Sequence, residues 1–239
     1  LNYLILMQDI PLFYEEYFSG TSSIVTLNEI NSHHIYHVLR LKLNDEISIT
    51  NGKGILLFGK ITSLDRKKTT FKSTKEEIIP PPPKKITLCF SLIKNTSRFE
   101  WFLEKAVEIG VHDIIPVISK RTEKKNLRKG RMQQIMISAL IQSKQCWLPV
   151  FHEPILFSQA ILLNGYNHKF IAHCTKSEKS PLKKFNPSGN ILMFIGPEGD
   201  FTEDEIEMSG QKDFIPVSLG ENRLRSETAA IVALTLLNN

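Results

Sequence analysis

Residues 195–205 read Ile195-Gly196-Pro197-Glu198-Gly199-Asp200-Phe201-Thr202-Glu203-Asp204-Glu205, and residues 219–229 read Leu219-Gly220-Glu221-Asn222-Arg223-Leu224-Arg225-Ser226-Glu227-Thr228-Ala229. Each stretch sets glycine between an apolar, strand-like run and the start of a helix. Glycine permits backbone conformations that a Cβ forbids, and the first turn of a helix leaves amide N–H groups free to donate. Two such loops close together in sequence make a backbone-lined pocket, whereas either one alone reads equally well as an ordinary αβ turn.

Working outward, Thr202-Glu203-Asp204-Glu205 is a capping box, which predicts a helix directly after the first loop. Ser226 to Leu237 predicts a closing apolar helix after the second. Upstream, Ile86 to Leu92, Ile114 to Ile118, Lys169 to Cys174, Ile191 to Ile195 and Phe214 to Val217 read as strands. Between them, Ser97-Arg98-Phe99-Glu100 reads as another capping box, with Phe102, Leu103, Ala106, Val107 and Ile109 as the buried stripe and Gly110 as the C-cap. Met132 to Ser143 and Pro154 to Leu163 predict further helices. Strands alternating with helices are the signature of an α/β layer on a mainly parallel sheet.

The run Pro80-Pro81-Pro82-Pro83 donates no backbone hydrogen bonds and favours an extended linker, so it marks a domain border. Residues 1–79 then form one domain and residues 80–239 the other. In the first, short runs at Ile24 to Leu27, Glu46 to Thr50, Ile55 to Ile61 and Thr69 to Ser73 predict strands, with turn signals at Asn51-Gly52 and Gly54 and one helix over Ser32 to Leu41. A small, mostly β barrel or sandwich is expected there.

The chain has 239 residues, 41% of them hydrophobic and 23% charged, which is the composition of a soluble globular protein with room for one large or two smaller cores. No apolar run approaches the length of a membrane span, and Leu1 to Leu6 lacks the basic flank of a signal peptide. Met7 is the first methionine, which makes the residues before it a candidate upstream extension. Cys89, Cys146 and Cys174 are odd in number, far apart and set in apolar runs, so mostly buried, reduced thiols and a cytosolic address are expected. None has a metal-ligand partner at a familiar spacing, and no metal site is expected.

Thirty Lys+Arg against 25 Asp+Glu give a net charge of +5. Seven of the twelve positions from Lys120 to Arg131, Arg121 among them, are basic; Arg66-Lys67-Lys68 forms a second run, and Arg40, Lys94 and Arg98 add scattered charge. Such stretches are either solvated loops or phosphate contacts, which would position a nucleic acid without reading its bases. His33, His34 and His37 are spaced to meet on one helix, but without a matching carboxylate or cysteine they read as packing and capping groups rather than a metal site. His173 ends a strand before a possible ligand loop and is a candidate to line the pocket or to fill core. Neither glycine loop is Gly-x-Gly-x-x-Gly, and no Gly-Lys-Ser/Thr follows, so dinucleotide and nucleoside triphosphate binding lose weight. Backbone donors and acceptors between strand ends suit a neutral or zwitterionic ligand, such as the adenine and amino-acid portions of S-adenosylmethionine.

Several segments in fixed order resemble the RsmE family. They are Gly196-Pro197-Glu198-Gly199; Leu219-Gly220 with Leu224-Arg225-Ser226-Glu227-Thr228-Ala229; Glu100-Trp101, Glu104-Lys105 and Glu108-Ile109-Gly110-Val111; and Ala139, Gln142-Ser143 and Pro149. His34, Val38-Leu39-Arg40-Leu41, Asp45 and Asn51-Gly52-Lys53-Gly54 are similar to that family's N-terminal PUA-like domain, so the resemblance covers nearly the whole chain. It implies a SPOUT-class methyltransferase domain with a deep trefoil knot, a PUA-like RNA-binding domain, S-adenosylmethionine as methyl donor, a homodimer, and methylation of N3 of one uridine in 16S rRNA. Knot topology is not something that patterning alone predicts.

Carried over by position, the resemblance makes Ile195, Gly196, Pro197, Gly199, Leu219, Gly220, Asn222, Leu224 and Thr228, with His173, the expected cofactor-binding residues. It makes Arg225, Glu198 and Glu227 the expected catalytic set, and Arg40, Lys94, Arg98, Arg121, Gln142 and Lys144 the expected RNA contacts. Asp200 stands where a second glycine is usual, Asn222 and Gln145 where arginines are usual, and Arg223 replaces an apolar residue. Asp200 and Asn222 motivate a second reading, an RNA- or ribosome-binding homologue without catalysis, and a SPOUT ribose 2′-O-methyltransferase is a third.

Overall fold

The computed structural model describes residues 10–18, 24–123, 126–175 and 178–239. Leu1 to Leu6 and the Lys124-Lys125 pair of the basic run lie outside the described residues. The chain divides into two compact units, one of Leu1–Pro81 with Leu140–Leu148, the other of Pro82–Ala139 with Pro149–Asn239.

In the first unit, strands β1 (Leu12–Tyr14), β2 (Ile24–Thr26), β3 (Glu46–Thr50), β4 (Ile55–Ser63) and β5 (Thr70–Ile78) form a sheet in the order β1-β3-β4-β5-β2. Only the β1–β3 pairing is parallel. Phe13, Val25, Leu27, Ile47, Ile49, Leu57, Ile61 and Phe71 pack into one core, closed by Ile35 from the helical segment. This is the expected small β domain.

The helix starts earlier than the sequence predicts. Asn28 caps α1 (Glu29–His33) by accepting from the Asn31 amide, and the chain continues as a π-helical turn over His34–Leu39 to Arg40, whose φ is 53°. Asparagine is among the best N-caps, so Asn28 outranks Ser32, which is buried and bonds the Leu27 carbonyl and the Thr69 amide instead. His33 and His37 are exposed, with ring centroids 4.5 Å apart, so the packing role expected of them is not what the fold uses.

Leu140–Leu148 completes this unit. Gly54 donates to the Cys146 carbonyl at 2.9 Å, and the Trp147 indole N–H reaches the Ile79 and Pro80 carbonyls, both at 3.1 Å. Gly54 has a φ of +87°, and a Cβ there would stand 2.5 Å from the Trp147 ring and 2.7 Å from the Ile79 carbonyl. The position needs glycine both for its left-handed backbone and for the approach of the indole.

The strands of the second unit are β6 (Lys85–Ser91), β7 (Asp113–Ile118), β8 (Val150–Phe151), β9 (Ile155–Leu156), β10 (His168–Ala172), β11 (Ser180–Pro181), β12 (Asn190–Ile195) and β13 (Ile215–Ser218). They form a parallel sheet in the order β11-β13-β10-β12-β6-β7-β8, with β9 also pairing with β7. β6 and β12 are buried along nearly their whole lengths, as strands covered on both faces must be. Adjacent residues of β6 serve opposite layers. Phe90 stacks on Phe99 and Phe102 of α2 (Thr96–Ile109), whereas Cys89 joins Leu192, Phe194, Phe157, Phe201 and Phe214 on the other face. The remaining helices are α3 (Lys129–Gln142), α4 (Phe157–Ala160), α5 (Glu203–Gly210) and α6 (Ser226–Asn238).

Two local expectations fail for physical reasons. The N-cap of α2 is Asn95, which accepts from the Arg98 amide at 3.1 Å, so Ser97 and Glu100 lie inside the helix and form no capping box. Glu100 pairs with Arg131 instead. Residues Ile155 and Leu156, expected to be helical, pair with Val117 and Ile118, leaving only the short α4 behind them; a strand partner within reach overrides local propensity. Gly110, by contrast, ends α2 in the left-handed conformation as expected, with φ 96°.

Candidate functional site

β13, β10 and β12 are neighbours in the sheet, so their carboxyl ends open side by side. The loops leaving them enclose a cleft of about 580 Å³. Crevices at the carboxyl ends of parallel strands are where α/β sheets take ligands, and this volume suits a small molecule.

The loop after β12 is tied down at nearly every residue. Asp200 donates its amide to the Pro197 carbonyl at 2.9 Å, and its carboxylate accepts from the Phe201 amide at 2.9 Å and from the Cys174 amide at 2.7 Å. Its φ of 63° is left-handed, a backbone that favours glycine and that aspartate is among the few other residues to tolerate. The carboxylate then bridges the exits of β10 and β12, which glycine could not do. At Gly196 a Cβ would come within 3.3 Å of the Phe201 ring and amide nitrogen. Phe201 is core, so the loop closes against a fixed wall. Gly199 carries a different load, its carbonyl accepting from the Arg121 guanidinium at 2.7 Å, and it does not line the cleft. Glu198 does line it, and one of its oxygens accepts from the Lys94 amide at 3.0 Å.

The capping box after this loop forms as expected. Thr202 accepts from the Glu205 amide, and the Glu205 carboxylate accepts from the Thr202 amide at 2.9 Å. Its other oxygen accepts from the Lys120 amide at 2.8 Å, so one buried carboxylate holds both the helix start and the chain after β7.

His173 leaves β10 buried, with Nδ1 hydrogen-bonded to the Thr175 hydroxyl at 2.8 Å. Its Nε2 is buried without a hydrogen-bond partner among the described residues, although the residue lines the cleft. Desolvation, helped by the Lys179 ammonium and opposed by Asp200, lowers its proton affinity below the ordinary histidine value. Lys179 donates to the His173 carbonyl at 3.0 Å. Cys89 and Cys146 are buried, in keeping with the expectation of mostly buried thiols, whereas Cys174 is exposed on the cleft wall.

The loop after β13 is built differently. Gly220 has a φ of +153°, a conformation suited to glycine, and no heavy atom lies within 4 Å of where its Cβ would stand. Glu221, Asn222, Arg223 and Arg225 are exposed, and all four line the cleft with Leu219 and Leu224. Arg225 caps α6 through its backbone, its carbonyl accepting from the Ala229 amide at 2.7 Å, and its guanidinium has no partner among the described residues. Ser226 and Ala229 bring the N-terminal turn of that helix to the cleft. Glu227 points away, buried, with Oε1 3.6 Å from Arg98 Nε and Oε2 lacking a hydrogen-bond partner among the described residues. Arg98 itself lines the cleft.

The structure thus gathers Arg98, His173, Ile195, Gly196, Pro197, Glu198, Leu219, Gly220, Asn222, Leu224 and Arg225, while Gly199, Glu227 and Thr228 do not line the cleft. Arg40 belongs to the first unit, as do Gln142 and Lys144 at the end of α3 and beyond it. Lys94 pairs with Glu123 at 2.9 Å and Lys120 with Asp204 at 3.3 Å, while Lys129 pairs with Glu153. With Arg131 on Glu100, three of the seven basic residues of the Lys120–Arg131 run are therefore paired with carboxylates of the protein. Cys174, Lys179 and Ser218 line the cleft without having been expected. Each sits at or near a strand end whose sheet neighbour is already in the site, a signal that needs strand order rather than sequence.

Among the described residues no group of histidine, cysteine and carboxylate side chains could hold a metal, and no helix is long and apolar enough to cross a membrane. Residues 80–238 match the family model of the RNA methyltransferase domain, and residues 27–72 that of the RNA methyltransferase PUA domain. The chain is 32% identical over 222 residues to the ribosomal RNA small subunit methyltransferase E of Synechocystis sp., covering 90% of this chain and 72% of that protein. Against the protein of the same name from Buchnera aphidicola subsp. Acyrthosiphon pisum it is 31% identical over 238 residues, covering 95% and 92%. A crystal structure of a ribosomal RNA small subunit methyltransferase E from Neisseria gonorrhoeae, bound to S-adenosyl methionine, has the same fold at a TM-score of 0.86 and 31% identity, covering 94% of this chain and 95% of that one. A small β unit, a parallel sheet with its cleft at the strand ends, and these matches across both together place the chain in the ribosomal RNA small subunit methyltransferase E family.

Proposed function

We propose that this protein transfers a methyl group from S-adenosylmethionine to N3 of one uridine in 16S rRNA, as a cytoplasmic homodimer acting on the small ribosomal subunit. The observation that carries the reading is the guanidinium of Arg225, without a partner among the described residues, at the rim of a backbone-lined cleft of nucleoside size. The cleft fits the donor on its own chemistry. Gly196 and Gly220 expose main chain, the N-terminus of α6 offers amide donors, and His173 Nε2 is a buried polar atom in want of a partner. Support for the homodimer comes from the family resemblance.

Uracil N3 carries a proton at neutral pH, so its methylation develops negative charge on the ring oxygens. The bound sulfonium supplies an electrophilic methyl group. Arg225 stabilises the developing charge, a contribution worth ~3 kcal/mol for a preorganised donor in a water-excluded site. Glu198 lies on the cleft wall, where a carboxylate can accept the released proton. Glu227, buried behind Arg98, is a positioning residue that holds that guanidinium at the cleft.

The test is to incubate the protein and S-adenosylmethionine with small subunits from a strain lacking the modification, then digest the rRNA to nucleosides. Appearance of 3-methyluridine supports the reading. A 2′-O-methylated nucleoside instead overturns the site of transfer, and cofactor binding without any product overturns catalysis. Sedimentation as a monomer at working concentration would overturn the dimer.

A further inference from the structure

We infer that the N-terminal unit carries a stacking platform for unpaired RNA bases, made by Tyr36, His37 and Arg66 with His33 at its edge; this rests on the proposal that RNA is the substrate. Four planar groups follow one another across its surface. The His33 and His37 ring centroids are 4.5 Å apart, those of Tyr36 and His37 are 4.9 Å apart, and the Arg66 guanidinium lies over the Tyr36 ring at 5.4 Å. His33, His37 and Arg66 are exposed and Tyr36 is partly so. Aromatic rings and arginine planes offered to solvent are the groups on which splayed bases stack, without preference for sequence.

The platform is anchored from behind. Ile35 is fully buried in the core of the unit, and the Asn31 side-chain amide donates to the Tyr14 carbonyl and to Glu15, each at 2.8 Å. The loop that bears Arg66 is fixed separately, since the Asp65 carboxylate accepts from the Lys67 and Lys68 amides at 2.8 and 3.0 Å. The two segments are joined where the Thr69 amide donates to the Ser32 hydroxyl at 3.0 Å. The backbone that carries the rings is therefore in place before a ligand arrives.

Charge identifies the occupant. Arg66, Lys67 and Lys68 are exposed beside the rings, with Glu29 paired to Lys67 at 3.4 Å, while the Asp65 carboxylate is turned onto its own backbone. Partial desolvation, then the nearby His33 and Arg66, lower the proton affinity of His37, so at neutral pH its ring is an uncharged stacking surface. Neutral π-faces bordered by cations match a single strand of nucleic acid, whose bases stack while its phosphates meet the lysines.

The full-length protein is titrated with a short single-stranded RNA containing 2-aminopurine and with a blunt RNA duplex of equal length, across a range of salt. The single strand is expected to bind more tightly and to change the probe's fluorescence. Tyr36→Ala with His37→Ala lowers affinity about tenfold with an unchanged salt slope, because stacking releases no counterions. Tyr36→Phe retains binding. Lys67→Ala weakens binding and reduces the magnitude of the salt slope by about 0.7. Thermal melting and S-adenosylmethionine titration of each variant check that the fold and the cleft are intact. Equal affinity for strand and duplex, or wild-type affinity in the double variant, would overturn the platform while leaving the methyltransferase reading standing. If the wild-type protein bound neither RNA and modified no rRNA, both would fall.

Discussion

The two glycine loops of the cleft look alike in sequence and are built in opposite ways. The loop after β12 is held by Asp200 to Cys174, Phe201 and Pro197, by Arg121 to Gly199 and by Lys94 to Glu198. The loop after β13 exposes Glu221, Asn222, Arg223 and Arg225 and owes its path to Gly220 and to the start of α6. A wall fixed in advance binds a constant ligand at little entropic cost, whereas exposed unpaired cations are what a variable, charged one requires. On the proposed function both loops offer main chain to the methyl donor, and the exposed side chains of the second loop are left to meet RNA.

The largest test of that division is Arg225→Ala. Turnover on rRNA should fall by about 10²- to 10³-fold, the cost of losing a preorganised charge-stabilising donor. S-adenosylmethionine affinity, read by calorimetry, should stay within about threefold. Equal losses in both would mean that the loops share one job.

The next test acts on the fixed loop. Asp200→Ala removes two hydrogen bonds and leaves a left-handed backbone to alanine, so denaturant unfolding should show a loss of about 2 kcal/mol, accompanied by weaker cofactor binding. Asp200→Gly relieves the backbone but still cuts the tether to Cys174, so it should recover stability while binding stays weak. If both variants bound the cofactor like wild type, the loop would not owe its pocket shape to that tether.

His173 gives a pH-dependent test on the same wall. Its proton affinity is lowered in the folded state, chiefly by desolvation. The unfolded chain therefore binds the proton first as pH falls. The contribution of this residue is intact above the ordinary histidine value of about 6.5 and is lost as pH drops below it toward the folded value. Stability and cofactor affinity should both decline over that window, and His173→Gln should flatten the decline. An unchanged pH profile in the variant would remove His173 from the wall.

How much of the fold and of the site is legible in the sequence depends on the range of the forces involved. Strands such as Ile86 to Leu92 and Ile191 to Ile195 were legible because a doubly buried strand must be apolar throughout. The capping box at Thr202 was legible because its partners are three residues apart. The similar pattern at Ser97 misled, since Asn95 two residues earlier is an equally good cap and local sequence does not rank the two. Ile155–Leu156 became a strand through a partner nearly forty positions away, and Leu140–Leu148 joined the first unit through Gly54 and Trp147; neither segment announces such distant partners. In the site, glycine and arginine positions were readable one by one. Cys174 and Lys179 were not, because their places follow from β10 lying between β12 and β13 and from β11 pairing with β13.

The smallest expected effect decides what Glu198 does. Its Oε1 already accepts from the Lys94 amide, so Glu198→Gln keeps an oxygen acceptor in place and should leave stability within about 0.5 kcal/mol of wild type. If the carboxylate only braces the fixed loop, turnover should change by less than about threefold and cofactor affinity not at all. If it takes the N3 proton, the amide variant should lose about 10²-fold in turnover with affinity preserved, because a general base contributes on that scale. The second result would put one catalytic group on the fixed loop opposite Arg225. The first would leave the chemistry of charge entirely to the exposed loop, with the proton released to water as the methyl group arrives.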